Sequence, residues 1–289
     1  MPAAEVDIDD ELVRSLLAHQ APALSSLPLR LLANGWDNVL FHLGDELVVR
    51  LPRREAAAVL VEHEQRWLPD LAARLPLPIP TPVHSGRPGD GYPWRWSVVP
   101  WFEGASALEQ PPRDLSATAT TLGRFLRALH TPAPVDAPPN PFRGVPLIER
   151  SSRVDDALVA LADTIDAEGA RGLWSRLVDT PPWSGEPVWL HGDLHPGNVV
   201  VRDGALAAVV DWGDITSGDP ATDLAVGMLF TPDTRLVFRA AAGHVDDATW
   251  SRARAWAVAL GLAYLANSAD NPSFAGLGRR VVNAALRDD

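Results

Sequence analysis

The residues best suited to chemistry lie in one stretch, residues 188–224. It reads His191-Gly192-Asp193-Leu194-His195-Pro196-Gly197-Asn198, then three valines, a turn at Asp203-Gly204, a second apolar run and Asp211-Trp212-Gly213-Asp214. Two carboxylates and one amide thus fall at the ends of short strands. Such a set suits phosphoryl transfer, whose loose, charged transition state is stabilised mainly by positioning and charge neutralisation. Magnesium takes hard oxygen ligands and keeps several waters. One carboxylate and one amide oxygen, Asp211 and Asn198, can hold it while nucleotide phosphates complete the shell. A separate carboxylate must orient the acceptor hydroxyl and take its proton, and Asp193 is the candidate.

Blander readings exist for each residue. His191-x-Asp193-x-His195 alone also fits a fragment of a metal-dependent hydrolase, but no histidine cluster follows it. Asp211 alone reads as a strand-end turn residue, and its place one hairpin after Asn198 is what favours a ligand. Asp214 reads as a solvated turn residue, and Asp219, before Pro220, as a helix N-cap.

Composition narrows the chemistry. The chain has 289 residues and a formal net charge of −12. All 25 basic residues are arginine, so every mechanism that needs a lysine is excluded, Schiff bases and Walker-type phosphate loops included. With no cysteine, disulfides, thiol catalysis and cysteine-ligated zinc are excluded too. The acidic balance argues against nucleic acid and anionic membranes as partners. Residues 1–13 lack the apolar run of a signal peptide, and no apolar stretch approaches the roughly 18 residues of a membrane span. The expectation is a soluble, cytoplasmic protein.

The elements that must position these residues follow from periodicity. Residues 9–19 read as a helix with Asp9 as N-cap. Strands are expected at 27–33, 39–43 and 46–51, the last two joined by a two-residue turn at Gly44-Asp45. Residues 54–75 have helical spacing, and alternating Pro76, Pro78, Pro80 and Pro82 force an extended path. A strand at 96–101 closes this part. The remainder reads as helices at 115–130, 154–167, 170–178, 220–228, 250–266 and 277–286, with short strands at 188–191, 199–201 and 206–210. Six prolines make residues 132–146 a long irregular loop.

With Asp211-Trp212-Gly213, the spacing His191-x-Asp193-x4-Asn198 resembles the catalytic loop and DFG segment of protein kinases. The fuller string, continued through Gly218-Asp219-Pro220-x-x-Asp223-Leu224, resembles the aminoglycoside phosphotransferase family, which also holds macrolide, choline and homoserine kinases. The resemblance implies an α+β, bilobal, protein-kinase-like fold. A small lobe with an antiparallel sheet would span residues 1–101, and a mostly helical catalytic and substrate lobe residues 102–289. It implies that Asp193 is the catalytic base, that Asn198 and Asp211 bind Mg2+, and that His191 and Asp223 brace the loop. The donor would be ATP, with GTP possible. The acceptor would be a hydroxyl of a small molecule, an aminoglycoside or macrolide antibiotic or else a metabolite such as a sugar, a choline-like alcohol or a nucleoside. Trp250, Trp256 and Tyr264 could line its site or simply be core.

Kinases of this type hold the α/β-phosphates with a strand lysine paired to a helix glutamate. Here Arg50 stands at the matching place, permanently charged and able to grip phosphate bidentately. Of the glutamates that follow, Glu64 lies on the apolar stripe of Leu60, Trp67 and Leu68 and Glu62 lies off it, so Glu64 is the expected partner. The resemblance places a degenerate phosphate loop at Asn34-Gly35-Trp36-Asp37-Asn38, with Gly35 and Asn38 as nucleotide contacts. It places an adenine-binding hinge at residues 98–101, with Val99 and Trp101. Trp212 replaces the DFG phenylalanine and Gly192 the arginine of the kinase His-Arg-Asp, which argues against control by activation-loop phosphorylation. A protein kinase is disfavoured by the short segment after Asp211. A nucleotide-binding pseudokinase is the other rival. The oligomeric state is left open.

Overall fold

The computed structural model describes residues 3–35 and 37–288. Trp36, within the expected phosphate loop, lies outside the described residues. The chain divides into two compact units, one running to Gly104 and including Ala207–Ile215, the other formed by Ala105–Leu206 and the residues from Thr216 onward. The fold is α+β.

The first unit begins with α1 (Asp10–Gln20), whose first turn is capped by Asp9 accepting the Leu12 N–H at 2.9 Å. Strands β1 (Leu29–Asn34), β2 (Asn38–Leu43) and β3 (Leu47–Pro52) precede α2 (Glu55–Ala72), and β4 (His84–Gly86) and β5 (Trp96–Pro100) follow it. They form one antiparallel sheet in the order β1-β2-β3-β5-β4. Leu16, Leu17, Phe41, Leu43, Val49, Leu51, Trp96 and Val98 are buried in one core beneath it. The β2–β3 turn differs from expectation: Leu43 pairs with Leu47, so Glu46 belongs to a three-residue loop. The proline-rich segment is extended, and its Pro78 carbonyl accepts the Val209 N–H at 3.0 Å.

The second unit contains β6 (Ala105–Ser106), α3 (Leu115–Leu129), α4 (Ser151–Ala160), α5 (Ala167–Leu177), β7 (Val188–Leu190), β8 (Val199–Arg202) and the start of β9 (Ala205–Val209). Then come β10 (Thr216–Gly218), α6 (Ala221–Leu224), α7 (Pro232–Ala242), α8 (Asp247–Ala266) and α9 (Pro272–Leu286). Asp203 and Gly204 both have positive φ, 55° and 83°, the geometry of a tight hairpin turn between β8 and β9. Helix α8, with Ala255, Trp256, Val258 and Leu262 fully buried, packs on α9, and α3 packs on α7. No helix among the described residues is long and apolar enough to cross a membrane.

Three helix expectations are corrected. Residues 154–167 are not one helix: α4 stops at Ala160, and Asp166 caps α5 by accepting the Gly169 N–H. Residues 220–228 form one α-turn and then a 3-10 segment, Ala225–Leu229. Helix α7 was not expected; Thr231 caps it and Pro232 occupies its first turn.

Candidate active site

The catalytic loop runs from buried β7 to the 3-10 turn Pro196–Asn198. A loop this tight leaves backbone N–H groups needing acceptors. The fully buried Asp223 carboxylate supplies two, taking the His191 N–H at 2.8 Å and the Gly192 N–H at 2.9 Å. Its Oδ2 also lies 3.3 Å from His130 Nε2. Further along, the Asp193 N–H donates to His191 Nδ1 at 3.3 Å and the Gly197 N–H to His195 Nδ1 at 3.0 Å. His195 Nδ1 is therefore an acceptor, so its proton sits on Nε2, which donates to Asp193 Oδ2 at 3.3 Å. The His195 ring is fixed edge-to-face by Tyr264 and Phe274, with centroids at 5.3 and 5.1 Å.

Asp193 keeps a quarter of its side chain exposed. Its other oxygen, Oδ1, accepts from Arg143 Nη2 at 3.1 Å. Burial alone would raise its pKa, but the hydrogen bond and field of His195, with Arg143 and His191, hold it well below the usual carboxylate range. Arg143 comes from the proline-rich loop, which is clamped next to it. The Gly144 N–H donates to Thr222 Oγ1 at 3.1 Å, and the Gly144 carbonyl accepts the Asp219 N–H at 3.1 Å. A Cβ on Gly218 would fall 2.3 Å from that same carbonyl oxygen, so glycine is what permits the approach. Asp219 is not the N-cap expected of it, since Pro220 holds that place before α6; its carboxylate accepts the Ala221 N–H at 3.0 Å and forms an ion pair with buried Arg252 at 2.6 Å. Asn198 donates through Nδ2 to the Asp193 carbonyl at 2.9 Å, which leaves its amide oxygen as a ligand atom.

In the first unit, Arg50 Nη1 lies 3.0 Å from Glu64 Oε2 and donates to Oε1 at 3.1 Å. Glu62 instead reaches Arg95 at 3.6 Å and is exposed. Burial opposes the Arg50 charge, but Glu64, Asp211 and Asp37 outweigh it and hold the guanidinium protonated. Burial and the nearby Asp211 push the Glu64 carboxyl up, while Arg50 and a hydrogen bond from the Trp212 backbone oppose them. That backbone bond ties the Asp211 turn to α2. Asp211 is exposed and has a φ of 61°, a left-handed conformation that aspartate tolerates better than most residues. Trp212 is fully buried beneath it, donating from Nε1 to the Val209 carbonyl at 3.1 Å.

The expected phosphate loop is braced from the end of β3. Arg53 Nη1 donates to the Gly35 carbonyl at 3.0 Å, the Arg53 N–H to the Asp37 carbonyl at 2.9 Å, and Arg54 pairs with Asp37. Asn38 Oδ1 is buried without a hydrogen-bond partner among the described residues. In β5, at the place expected for adenine contact, Val99 lies opposite Val48 and is buried. Trp101 gives its N–H to the Glu46 carbonyl at 2.7 Å, and its half-exposed ring meets His42 edge-on at 4.4 Å.

The structure thus gathers Asp193 and Asn198 on one loop, and Arg50, Glu64 and Asp211 in one cluster. The hydrolase reading of the histidines fails, because His191 and His195 both use Nδ1 for backbone N–H groups. The described residues hold no group of three or more His, Asp or Glu placed to bind an ion. Magnesium bound mostly by phosphates and water needs no such group. Sequence reasoning missed Arg143: it lies 50 positions from Asp193 in an irregular loop that carries no periodic signal.

Fold and site together define a kinase-like phosphotransferase architecture. The chain belongs to the phosphotransferase enzyme family, whose profile matches residues 28–256. An aminoglycoside 3'-phosphotransferase of Salmonella typhimurium is 28% identical over 153 residues, 52% of this chain and 56% of that protein. The chain therefore spans a little over half the length of this curated relative. Among solved structures, the GDP complex of an aminoglycoside 2'-phosphotransferase superposes with a TM-score of 0.67 at 19% identity, covering 96% of this chain and 99% of that one. A macrolide 2'-phosphotransferase from Brachybacterium faecium superposes with a TM-score of 0.60 at 21% identity, covering 96% and 98%.

Proposed function

We propose that this chain transfers the γ-phosphoryl group of a nucleoside triphosphate, ATP before GTP, to a hydroxyl of a small molecule. The observation that carries this reading is Asp193: a partly exposed carboxylate kept ionised by Arg143 and His195, on a loop pinned by Asp223. In the reaction the acceptor oxygen bonds to γ-phosphorus, the bond from γ-phosphorus to the bridging oxygen breaks, and the hydroxyl proton passes to Asp193. A carboxylate of such low proton affinity acts mainly by orienting the hydroxyl and receives the proton as its oxygen bonds phosphorus.

Arg50, held charged by Glu64, grips the donor phosphates. The Gly35–Asn38 loop covers them with backbone groups, and Asn38 Oδ1 has an acceptor to offer a nucleotide donor. Trp101, its N–H already engaged by Glu46, contributes its ring to the base, beside the backbone of Val99. The Asn198 amide oxygen and the Asp211 carboxylate fit magnesium's preference for oxygen ligands. Bound there, the ion would neutralise phosphate charge. The names of the relatives put aminoglycosides and macrolides first among antibiotic acceptors to test, with small metabolites beside them, and the setting is expected to be the cytoplasm. The test is incubation with ATP and magnesium across antibiotic and metabolite hydroxyl compounds, read by mass spectrometry. Acceptor-dependent gain of one phosphoryl group is expected; nucleotide binding with no phosphorylated product would instead leave a pseudokinase.

A further inference from the structure

Beside Asp193 the second unit holds a group of cations of which the proposed phosphoryl transfer uses only Arg143. Arg143, already on the Asp193 carboxylate, bears electrostatically on Arg150, and so does Arg153. Arg150 is only 7% exposed, its Nε is buried without a hydrogen-bond partner, and it forms no ion pair with a carboxylate among the described residues. Two rings flank it: its guanidinium carbon lies 5.7 Å from the Phe142 centroid and 5.9 Å from that of Trp256. Arg153 sits over the same Phe142 ring, 4.4 Å from its centroid. Rings attract the charge but accept none of the N–H bonds lying in the guanidinium plane. Trp256 adds another donor, since its Nε1–H is buried with no acceptor. Burial first, then Arg143 and Arg153, lower the Arg150 pKa to about 10, so the cluster disfavours its own charge.

A buried, unpaired cation among like charges destabilises a fold. The buried, unpartnered donors of Arg150 and Trp256, with the charge of exposed Arg153 beside them, are complementary to an oxyanion. Resting on the phosphotransfer reading above, we propose that the acceptor of this chain carries an oxyanion, bound by Arg150 and Arg153, while its hydroxyl meets Asp193. A carboxylate and a phosphate ester share that chemistry. A polycationic aminoglycoside is what this cluster repels.

The test uses three acceptors of one skeleton, glycerol, glycerate and glycerol phosphate, and beside them, for the opposite charge, an aminoglycoside. With full-length protein, ATP and magnesium, kcat/KM for an anionic acceptor should exceed that for glycerol by about tenfold or more, the scale of a charged hydrogen bond. Glycerate and glycerol phosphate, compared with each other, tell carboxylate from phosphate. Arg150→Met should raise KM for the anion and collapse the ratio, with a thermal midpoint no lower than wild type because it replaces a buried cation with an apolar chain. If it fails to fold, the exposed Arg153→Gln reads the same ratio. A binding measurement without turnover is independent: glycerate or glycerol phosphate should raise the midpoint of the wild type more than that of either variant. Preference for glycerol or the aminoglycoside, or an anion effect undiminished in both variants, would overturn the proposal. Absence of any phosphorylated acceptor with the anion shift intact would sink the phosphotransfer reading and leave the oxyanion site standing.

Discussion

As the proposed base, Asp193 combines two demands that usually conflict. It must be open enough to meet a hydroxyl and ionised enough to orient it, and Arg143 and His195 reconcile the two by donating to separate oxygens. The sign of the linkage follows. A carboxyl whose folded pKa is lowered adds stability that is fully present above its unfolded value of about 3.9 and is lost as pH falls through the folded value. Asp193→Asn should therefore be less stable than wild type at pH 7, with the gap closing only in strong acid, as urea titrations across pH would show. In the proposed reaction Arg50 carries the phosphate-binding load that a lysine-free chain cannot give to an amine. Arg50→Ala should raise KM for ATP about tenfold or more, the scale of a lost charge-assisted hydrogen bond, and an unchanged ATP titration would assign the phosphates to another cation. The choice of Glu64 over Glu62 was legible in sequence because a helix stripe places one carboxylate inside and the other out. Arg143 and Arg150 were not, because a partly buried cation in an irregular loop and a buried one at the end of a single 3-10 turn leave no period to read.

At the scale of elements, the site depends on two clamps. Asp223 on α6 closes the catalytic loop, so Asp223→Ala should remove about 3 kcal/mol of stability by orphaning the His191 and Gly192 N–H groups, measurable by urea denaturation. Gly218 on β10 lets the loop carrying Arg143 approach. Gly218→Ala should displace Gly144 and lower turnover even with nucleotide binding retained, a split that kcat and ATP affinity measured together would reveal. The strands and helices with clean periodicity were visible in sequence, including the Asp203-Gly204 hairpin. Helix α7 was not, because its buried positions are Arg235, Phe238 and Ala242 and its Leu236 is exposed. With an arginine inside and a leucine outside, the apolar stripe that marks a helix is missing. Arg235 is satisfied instead by the Gly227 and Phe230 carbonyls and by Asp288, partners that only the tertiary fold supplies. Helix α4 ends early for a local reason, since Asp166 starts a new cap.

For the molecule as a whole, an arginine-only basic set is used in two ways. Arg50 holds its charge beside carboxylates, whereas Arg150 forms no ion pair among the described residues and buries its Nε without an acceptor. A net charge of −12 gives no hint of that local concentration of cations. Ligand linkage offers a global readout: a nucleotide that binds only the folded chain raises its thermal midpoint, and the rise should be smaller in Arg50→Ala at the same ATP concentration. The central claim is that Asp193 serves transfer and not nucleotide binding. The direct measurement compares wild type with Asp193→Ala, following phosphorylated acceptor by mass spectrometry and ATP binding by calorimetry on the same samples. Product formation should fall by about a hundredfold or more while ATP affinity stays within about twofold. Full transfer activity in Asp193→Ala would contradict the account.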